Sequence, residues 1–283
     1  MATGLDPAEN RRSVADRLAA AAGAGATLVV FPEATMATFG GPSFDLSTVA
    51  EPLDGAFVSS LAAGAARHGI TVVAGMFERA GASPSGGGER PPDAERVYNT
   101  VVVVGPEGLL GAYRKVHLFD ALGARESDRV LPGDPADGLV ALPLDEGLVL
   151  GVLTCYDLRF PESARALVDR GATLLAVPAH WYNGPGKPQV WRTLLAARAI
   201  ESTAYVVGAG KPEPEAVGRS AVVDPLGEVL AELGGEEEGV ALAEVSAARV
   251  AAVRTMLPVL EHRRFGVVPG KLTPQAHPSE PPR

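Results

Sequence analysis

The sequence holds a single cysteine, Cys155, in 283 residues. No intrachain disulfide is possible, and a lone thiol is either an inert core residue or a chemical group. The five histidines stand without the paired spacing of a zinc site, so neither a metal nor a cofactor is expected. Positive charge is scarce as well. The 25 Lys and Arg face 34 Asp and Glu, a net charge of -9 with a pI near 5.1, and the two signs are interspersed, which leaves no electrostatic footprint for a phosphate backbone. Nucleic acid is not an expected partner. Lysine occurs only at Lys115, Lys187, Lys211 and Lys271, and the excess of arginine, alanine, glycine and proline reads as the coding bias of a GC-rich genome. No run of 18 apolar residues occurs, so no membrane partner is expected. The first ten residues lack the basic and apolar regions of a signal peptide. A cytoplasmic protein is the expectation.

What is present is an alternation of helical and strand patterns. Asp6-Pro7-Ala8-Glu9 supplies an N-cap, a proline at the first helical position and an acid in the first turn, ahead of Val14, Leu18 and Ala21 at helical spacing; this predicts a helix over Pro7–Ala22. Thr27–Phe31 is a short apolar run between breakers, as in a strand buried on both faces, and Pro32 ends it. The unit repeats with a helix near Phe57–Arg67 and a strand at Ile70–Ala74. Arg79–Glu95 turns to Gly, Pro, Ser and charge, which predicts a solvent loop leading to a hairpin of Val97–Val104 and Leu109–Arg114 about Gly105-Pro106-Glu107-Gly108. Strands at Leu148–Leu153, Thr173–Val177 and Ala204–Ala209 alternate with helices at Glu162–Asp169 and Val190–Ile200. Arg219–Val223, Glu228–Leu230 and Val240–Glu244 read as a closing meander. The whole is α/β, helices layered on sheet. Residues 1–265 are expected to form one domain, and 266–283 an extended or disordered tail.

Three polar side chains follow buried strands, at the sheet edge where such a fold displays its chemistry. Glu33 follows Leu28–Phe31, Lys115 follows Leu109–Tyr113, and Cys155 follows Leu148–Leu153. A carboxylate, an ammonium and a thiol make a coherent acyl-transfer set of base, oxyanion stabiliser and nucleophile. Each also has a plain alternative: Glu33 as a turn cap, Lys115 as a solvated base beside Arg114, Cys155 as core. His180-Trp181, after the strand at Thr173–Val177, shares the edge of Cys155 and is expected either to line an acyl pocket or simply to pack. For Arg159 the sequence offers a salt bridge to Asp157 or Glu162, or a clamp for a substrate carboxylate.

The local sequence around these residues resembles the carbon–nitrogen hydrolase (nitrilase) superfamily. Phe31-Pro32-Glu33-Ala34 is similar to its glutamate motif, Tyr113-Arg114-Lys115-Val116-His117-Leu118-Phe119 to its lysine motif, and Leu153-Thr154-Cys155-Tyr156-Asp157-Leu158-Arg159-Phe160-Pro161-Glu162 to its cysteine motif. Arg125-Glu126-Ser127, Pro132-Gly133-Asp134, Ala197–Glu201, Gly218–Gly227 and Leu257–Arg264 extend the likeness over Asp6–Phe265. The resemblance implies a four-layer α-β-β-α sandwich with Cys155 as nucleophile, Glu33 as general base and then acid, and Lys115 as the cation of the tetrahedral intermediate. It implies that Glu126 supports Lys115, that the Tyr156 backbone N–H completes an oxyanion hole with Lys115, and that His117 is scaffold. Cys-Tyr-Asp-Leu-Arg-Phe-Pro-Glu resembles the Nit and ω-amidase-like branch. The expected reaction is therefore hydrolysis of a small amide, carboxylate-bearing, to acid and ammonia; the alternatives are an N-carbamoyl hydrolase or nitrilase on the same triad, or a silent binding protein of the same fold. A homodimer or higher homo-oligomer is expected, through the helices beside the cysteine motif. Two departures stand out. Val190 precedes Trp191 where these branches often carry histidine, and Met1-Ala2-Thr3-Gly4 stands where the family's first strand should just have ended. That N-terminal strand is expected to be missing, and the natural start is expected upstream of Met1.

Overall fold

The protein is described by a computed structural model that covers residues 1–81, 96–136, 138–212 and 214–268. The helix α1 (Pro7–Gly23) opens as its sequence dictates, with Asp6 Oδ1 accepting the Ala8 N–H at 2.8 Å and Pro7 at the first turn. Val14, Leu18 and Ala21 form its buried stripe. The strands β1 (Leu28–Val30) and β2 (Thr71–Arg79) pair in parallel, with α2 (Ala56–His68) between them as the crossover. An antiparallel ladder then joins β2 to β3 (Val97–Gly105), and β3 to β4 (Gly108–Arg114), while the short β5 (Val130–Leu131) pairs with β3. The order of this sheet is β1-β2-β3-β4.

The second sheet is built from β6 (Ala141–Pro143), β7 (Val149–Val152), β8 (Leu174–Ala179), β9 (Tyr205–Gly210), β10 (Ala221–Val223) and β11 (Val229–Glu232), in the order β11-β10-β9-β8-β7-β6. Its central strands β7, β8 and β9 are parallel, linked through α3 (Pro161–Asp169) and α4 (Lys187–Ser202). Parallel strands covered on both faces read as unbroken apolar runs, which is why Leu174–Ala179 is buried at every position. Val73, Val101, Val103, Leu150, Val152, Leu174 and Ala176 fill the space between the sheets. Leu18, Phe57, Leu61 and Val72 pack α1 and α2 on the outer face of the first sheet, and Leu167, Trp191, Leu195 and Val206 pack α3 and α4 on that of the second. The layers are therefore α-β-β-α. No helix among the described residues is long and apolar enough to cross a membrane.

Three local readings are corrected. The strand β2 runs to Arg79 rather than ending at Ala74, because Gly75 is a point of close approach and not a breaker: a Cβ there would lie 2.5 Å from the Ala34 N. Val240–Glu244 alternates like a strand but finds no ladder partner among the described residues, and Val240 and Leu242 are about half exposed. A further helix, α5 (Ala247–Met256), was hidden by its alanine content. Only Val250 and Val253 are buried, and Ser246 Oγ caps the Arg249 N–H. Arg249 in turn pairs with Asp224 at 2.7 Å, fixing α5 to the β10–β11 turn. The larger part of the predicted solvent loop, 82–95, and the predicted tail from Pro269 to Arg283 lie outside the described residues. A groove of about 1000 Å³ lies along β1, lined by Met1, residues 24–32 and parts of β9 and β10.

Candidate active site

Both sheets deliver chemistry to one end of the sandwich. Glu33 follows β1, Lys115 follows β4, Cys155 follows β7 and His180 follows β8, and all four line one cleft of about 450 Å³. Cys155 begins a 3-10 helix (Cys155–Arg159) with φ of 49°, a left-handed conformation that a non-glycine residue adopts only under constraint. The constraint comes from Asp157. Its Oδ2 accepts the Thr154 N–H at 3.0 Å and the Tyr113 hydroxyl at 2.7 Å, and its Oδ1 lies 2.8 Å from His117 Nδ1 and accepts the His117 N–H at 3.2 Å. His117 stacks on Phe160 with ring centroids 3.7 Å apart. The histidine is thus scaffold, tying the lysine segment to the cysteine turn.

Glu33 is fully buried and fully bonded. Its Oε1 accepts Lys115 Nζ at 3.0 Å and Asn99 Nδ2 at 2.7 Å, its Oε2 accepts the His180 N–H at 2.8 Å, and the Cys155 thiol interacts with the same carboxylate. Burial alone would raise its pKa, but Lys115, the His180 N–H and the thiol outweigh that and hold it at about 2. Lys115 Nζ also donates to Glu126 Oε1 at 3.0 Å and Oε2 at 2.8 Å. Burial would lower the ammonium's pKa, yet Glu126 and Glu33 raise it well above the ordinary lysine value. Burial, then the Glu33 charge, raises the Cys155 pKa, with Lys115 pulling the other way. The resting state is therefore carboxylate, ammonium and neutral thiol. Tyr156 is in the first turn of the 3-10 helix, where backbone N–H groups have no intrahelical acceptor.

Asn99 was not foreseen. It stands in the valine-rich β3, fully buried, and its Nδ2 bridges Glu33 to Glu126, the latter at 3.1 Å. A lone amide inside an apolar strand was the available signal. The expected salt bridge of Arg159 to Asp157 or Glu162 is absent among the described residues: Asp157 is consumed by its own network, and the guanidinium lies 5.0 Å from the Trp181 ring centroid. His180 and Trp181 both line the cleft, and their Nδ1 and Nε1 atoms have no partner among the described residues. Burial, then the Lys211 charge, lowers the His180 pKa to about 4, so its imidazole is neutral at pH 7. Lys187 also lines the cleft, 5.4 Å from the Phe119 ring centroid and 5.9 Å from that of Trp181. No group of three or more His, Cys, Asp or Glu among the described residues is placed to hold a metal ion.

Comparison with known proteins extends this picture. The family described as carbon-nitrogen hydrolase matches residues 2–255. A protein of Mycobacterium tuberculosis named as a hydrolase is 39% identical over 278 residues, covering 92% of each chain. Deaminated glutathione amidase of Escherichia coli O157:H7 is 37% identical over 258 residues, covering 91% of this chain and 92% of that one. Among solved structures, Saccharomyces cerevisiae Nit3, a member of branch 10 of the nitrilase superfamily, superposes with a TM-score of 0.78 at 28% identity over 93% of both chains. A mutant of the Nesterenkonia sp. AN1 amidase, which shows Michael addition of acrylamide at its active-site cysteine, superposes with a TM-score of 0.72 at 29% identity over 91% of this chain and 95% of that one.

Proposed function

The chain belongs to the carbon–nitrogen hydrolase family and is an amide-hydrolysing enzyme, and on that premise we propose that it cleaves a small carboxylate-bearing amide through a Cys155 acyl-enzyme. The observation that carries the reading is the convergence of Cys155, Glu33 and Lys115 in one buried cleft, with Lys115 Nζ bonded to Glu33 Oε1 at 3.0 Å and the thiol interacting with the same carboxylate. As Sγ bonds to the carbonyl carbon, the thiol proton passes to Glu33. The carbonyl oxygen gains the negative charge, opposite Lys115 Nζ and the Tyr156 N–H, donors each worth about 3–4 kcal/mol in comparable sites. The C–N bond then breaks as Glu33 gives its proton to the leaving nitrogen, releasing ammonia. Water, deprotonated by Glu33, attacks the thioester, and the acid leaves as the thiol recovers the proton. Glu126 keeps Lys115 charged and takes no proton. A working thiol of this kind fits the reducing cytoplasm.

The carboxylate preference rests on the cleft's cations. Lys115 is neutralised by Glu33 and Glu126, and Arg125 by Asp128, whereas Arg159 and Lys187 have no carboxylate partner among the described residues. Both lie beside Trp181, whose unpartnered Nε1–H adds a neutral donor. Succinamate- and glutaramate-like acids are the fitting probes, and the relatives named deaminated glutathione amidase point to the same chemistry. Arg159→Gln should raise KM for these acids about tenfold or more while changing kcat little, and leave neutral amides unaffected, read by ammonia release. Equal or better turnover of neutral amides by the parent would sink the carboxylate reading.

The quaternary reading is a homodimer formed by α3 and α4. Ile200 on α4 is 52% exposed, and Leu226, Val229, Leu230 and Leu257 are also substantially exposed. A stable pair of this kind buries on the order of 2,000 Å² or more. Light scattering at micromolar concentration should give twice the chain mass, and a fully active monomer would refute it.

A further inference from the structure

Lys211 is the first residue after β9, only 4% exposed, and absent from the cleft wall. A buried ammonium is costly unless an acid pairs with it, and no carboxylate among the described residues lies within ion-pairing distance. Among the described residues its Nζ has one hydrogen bond, to Thr3 Oγ1 at 2.5 Å. Thr3 Oγ1 passes that on, donating to the Ala34 carbonyl at 3.3 Å. Ala34 is the residue after Glu33 and is itself held at φ of 53°. From the other side, the Lys211 N–H donates to the Ala179 carbonyl at 3.1 Å, one residue before the His180 N–H that grips Glu33 Oε2. Lys211 thus braces the two backbone segments that aim the carboxylate.

Charge gives the same residue a second role. Glu33 and Glu126 together carry two negative charges and Lys115 one positive, so the bonded cluster is one positive charge short of neutrality. Any anion formed during acyl transfer would deepen that deficit in a buried setting. We propose that Lys211 is a positioning residue for Glu33 and the second buried positive charge beside the Glu33–Lys115–Glu126 cluster, bracing the general base and offsetting the cluster's excess negative charge. The inference rests on the reading of Glu33 as the base.

The groups facing Lys211 are Glu33 after β1, His180 after β8, Glu215 in the loop after β9 and the Met1 amino group, with Lys115 beyond Glu33. Burial lowers the Lys211 pKa to about 8, against the opposing pull of Glu33 and Glu215. His180, at about 4, titrates far below that, and Cys155 and Lys115 are both pushed upward. Activity should therefore fall as pH rises through about 8, where Lys211 loses its proton and the cluster its second buried cation.

The test uses the full chain and the pH profile of amide hydrolysis. Lys211→Met should lower kcat about tenfold at pH 7 with KM within about twofold, and remove the alkaline limb near pH 8. It should not lower the melting temperature, because an apolar side chain of similar size replaces a desolvated charge. Lys211→Arg should recover most of kcat and carry the limb beyond pH 9. The proposal fails if Lys211→Met keeps the parent rate, if the limb near pH 8 persists in it, or if its lost activity comes with a lowered melting temperature. Glu33→Gln, run alongside, separates the two readings. An active Glu33→Gln would overturn the base assignment itself; an inactive one beside a parent-like Lys211→Met would overturn only the role of Lys211.

Discussion

Cys155→Ala is expected to fold like the parent and to lose turnover by roughly 10⁴-fold or more, since removing a nucleophile leaves only what binding and the oxyanion donors supply. The stability change should be small. The thiol contributes little area, and the turn at residue 155 is held by Asp157, Tyr113, Thr154 and His117 rather than by sulfur. Because Cys155 is the only cysteine, one equivalent of an alkylating amide analogue per chain should abolish activity, and mass spectrometry should find a single adduct. Cys155→Ser should stay weak, as a hydroxyl is far harder to deprotonate than a thiol. Parent-like ammonia release from Cys155→Ala with an unchanged melting curve would end the thiol mechanism.

Glu33→Gln and Lys115→Ala should each depress kcat by roughly 10²–10⁴-fold, but their stability signatures should differ. Glu33→Gln removes a charge whose partner Lys115 still has Glu126. Lys115→Ala leaves two carboxylates facing each other across Asn99 with no cation between them, a loss of about 3–5 kcal/mol for a broken buried pair. The pH sign follows from Glu33. Its folded-state pKa, about 2, is below the ordinary carboxylate value, so the carboxylate contributes stability that is present above that ordinary value and is lost as pH falls toward 2. Without Lys115 that contribution goes, and acid unfolding should begin at a higher pH. Lys115→Arg should not rescue turnover, because a planar guanidinium does not replace a compact ammonium in a site where the side chain is 2% exposed. Near-parent kcat in Lys115→Arg would show that the oxyanion role is misassigned.

Most of the layer plan was legible, because strands buried on both faces leave apolar runs and the helices α1, α3 and α4 carry proline in their first turn. The polar side chains at strand ends were legible for the same reason: Glu33, Lys115 and Cys155 interrupt apolar runs at their carboxyl ends. Asn99 was not, since what makes it matter is register. The Lys115 N–H bonds to the Asn99 carbonyl at 2.8 Å, and no local pattern says which residue of β3 will lie opposite the lysine. For Arg159 the salt-bridge alternative failed because nearby acids in sequence suggested a partner, while Asp157 had already been committed to groups forty residues away. Val240–Glu244 shows the converse, a correct period without a neighbouring strand to complete it.

The division of the proposed triad between the two sheets has a mechanical consequence. Glu33 and Lys115 ride on the first sheet, Cys155 and the His180 N–H on the second, and the thiol–carboxylate contact spans the seam between them. Hydrogen bonding within either sheet does nothing to hold that seam; the valines and leucines between the sheets do, with the bonds of Tyr113 and His117 to Asp157 and of the His180 N–H to Glu33 crossing it at one end. A slip of an ångström there would part the Cys155 thiol from the Glu33 carboxylate while both ladders stayed intact. Catalytic rate in this enzyme is thus a gauge of how firmly two separately bonded slabs stay clamped, and it should respond to seam-loosening substitutions before secondary structure does.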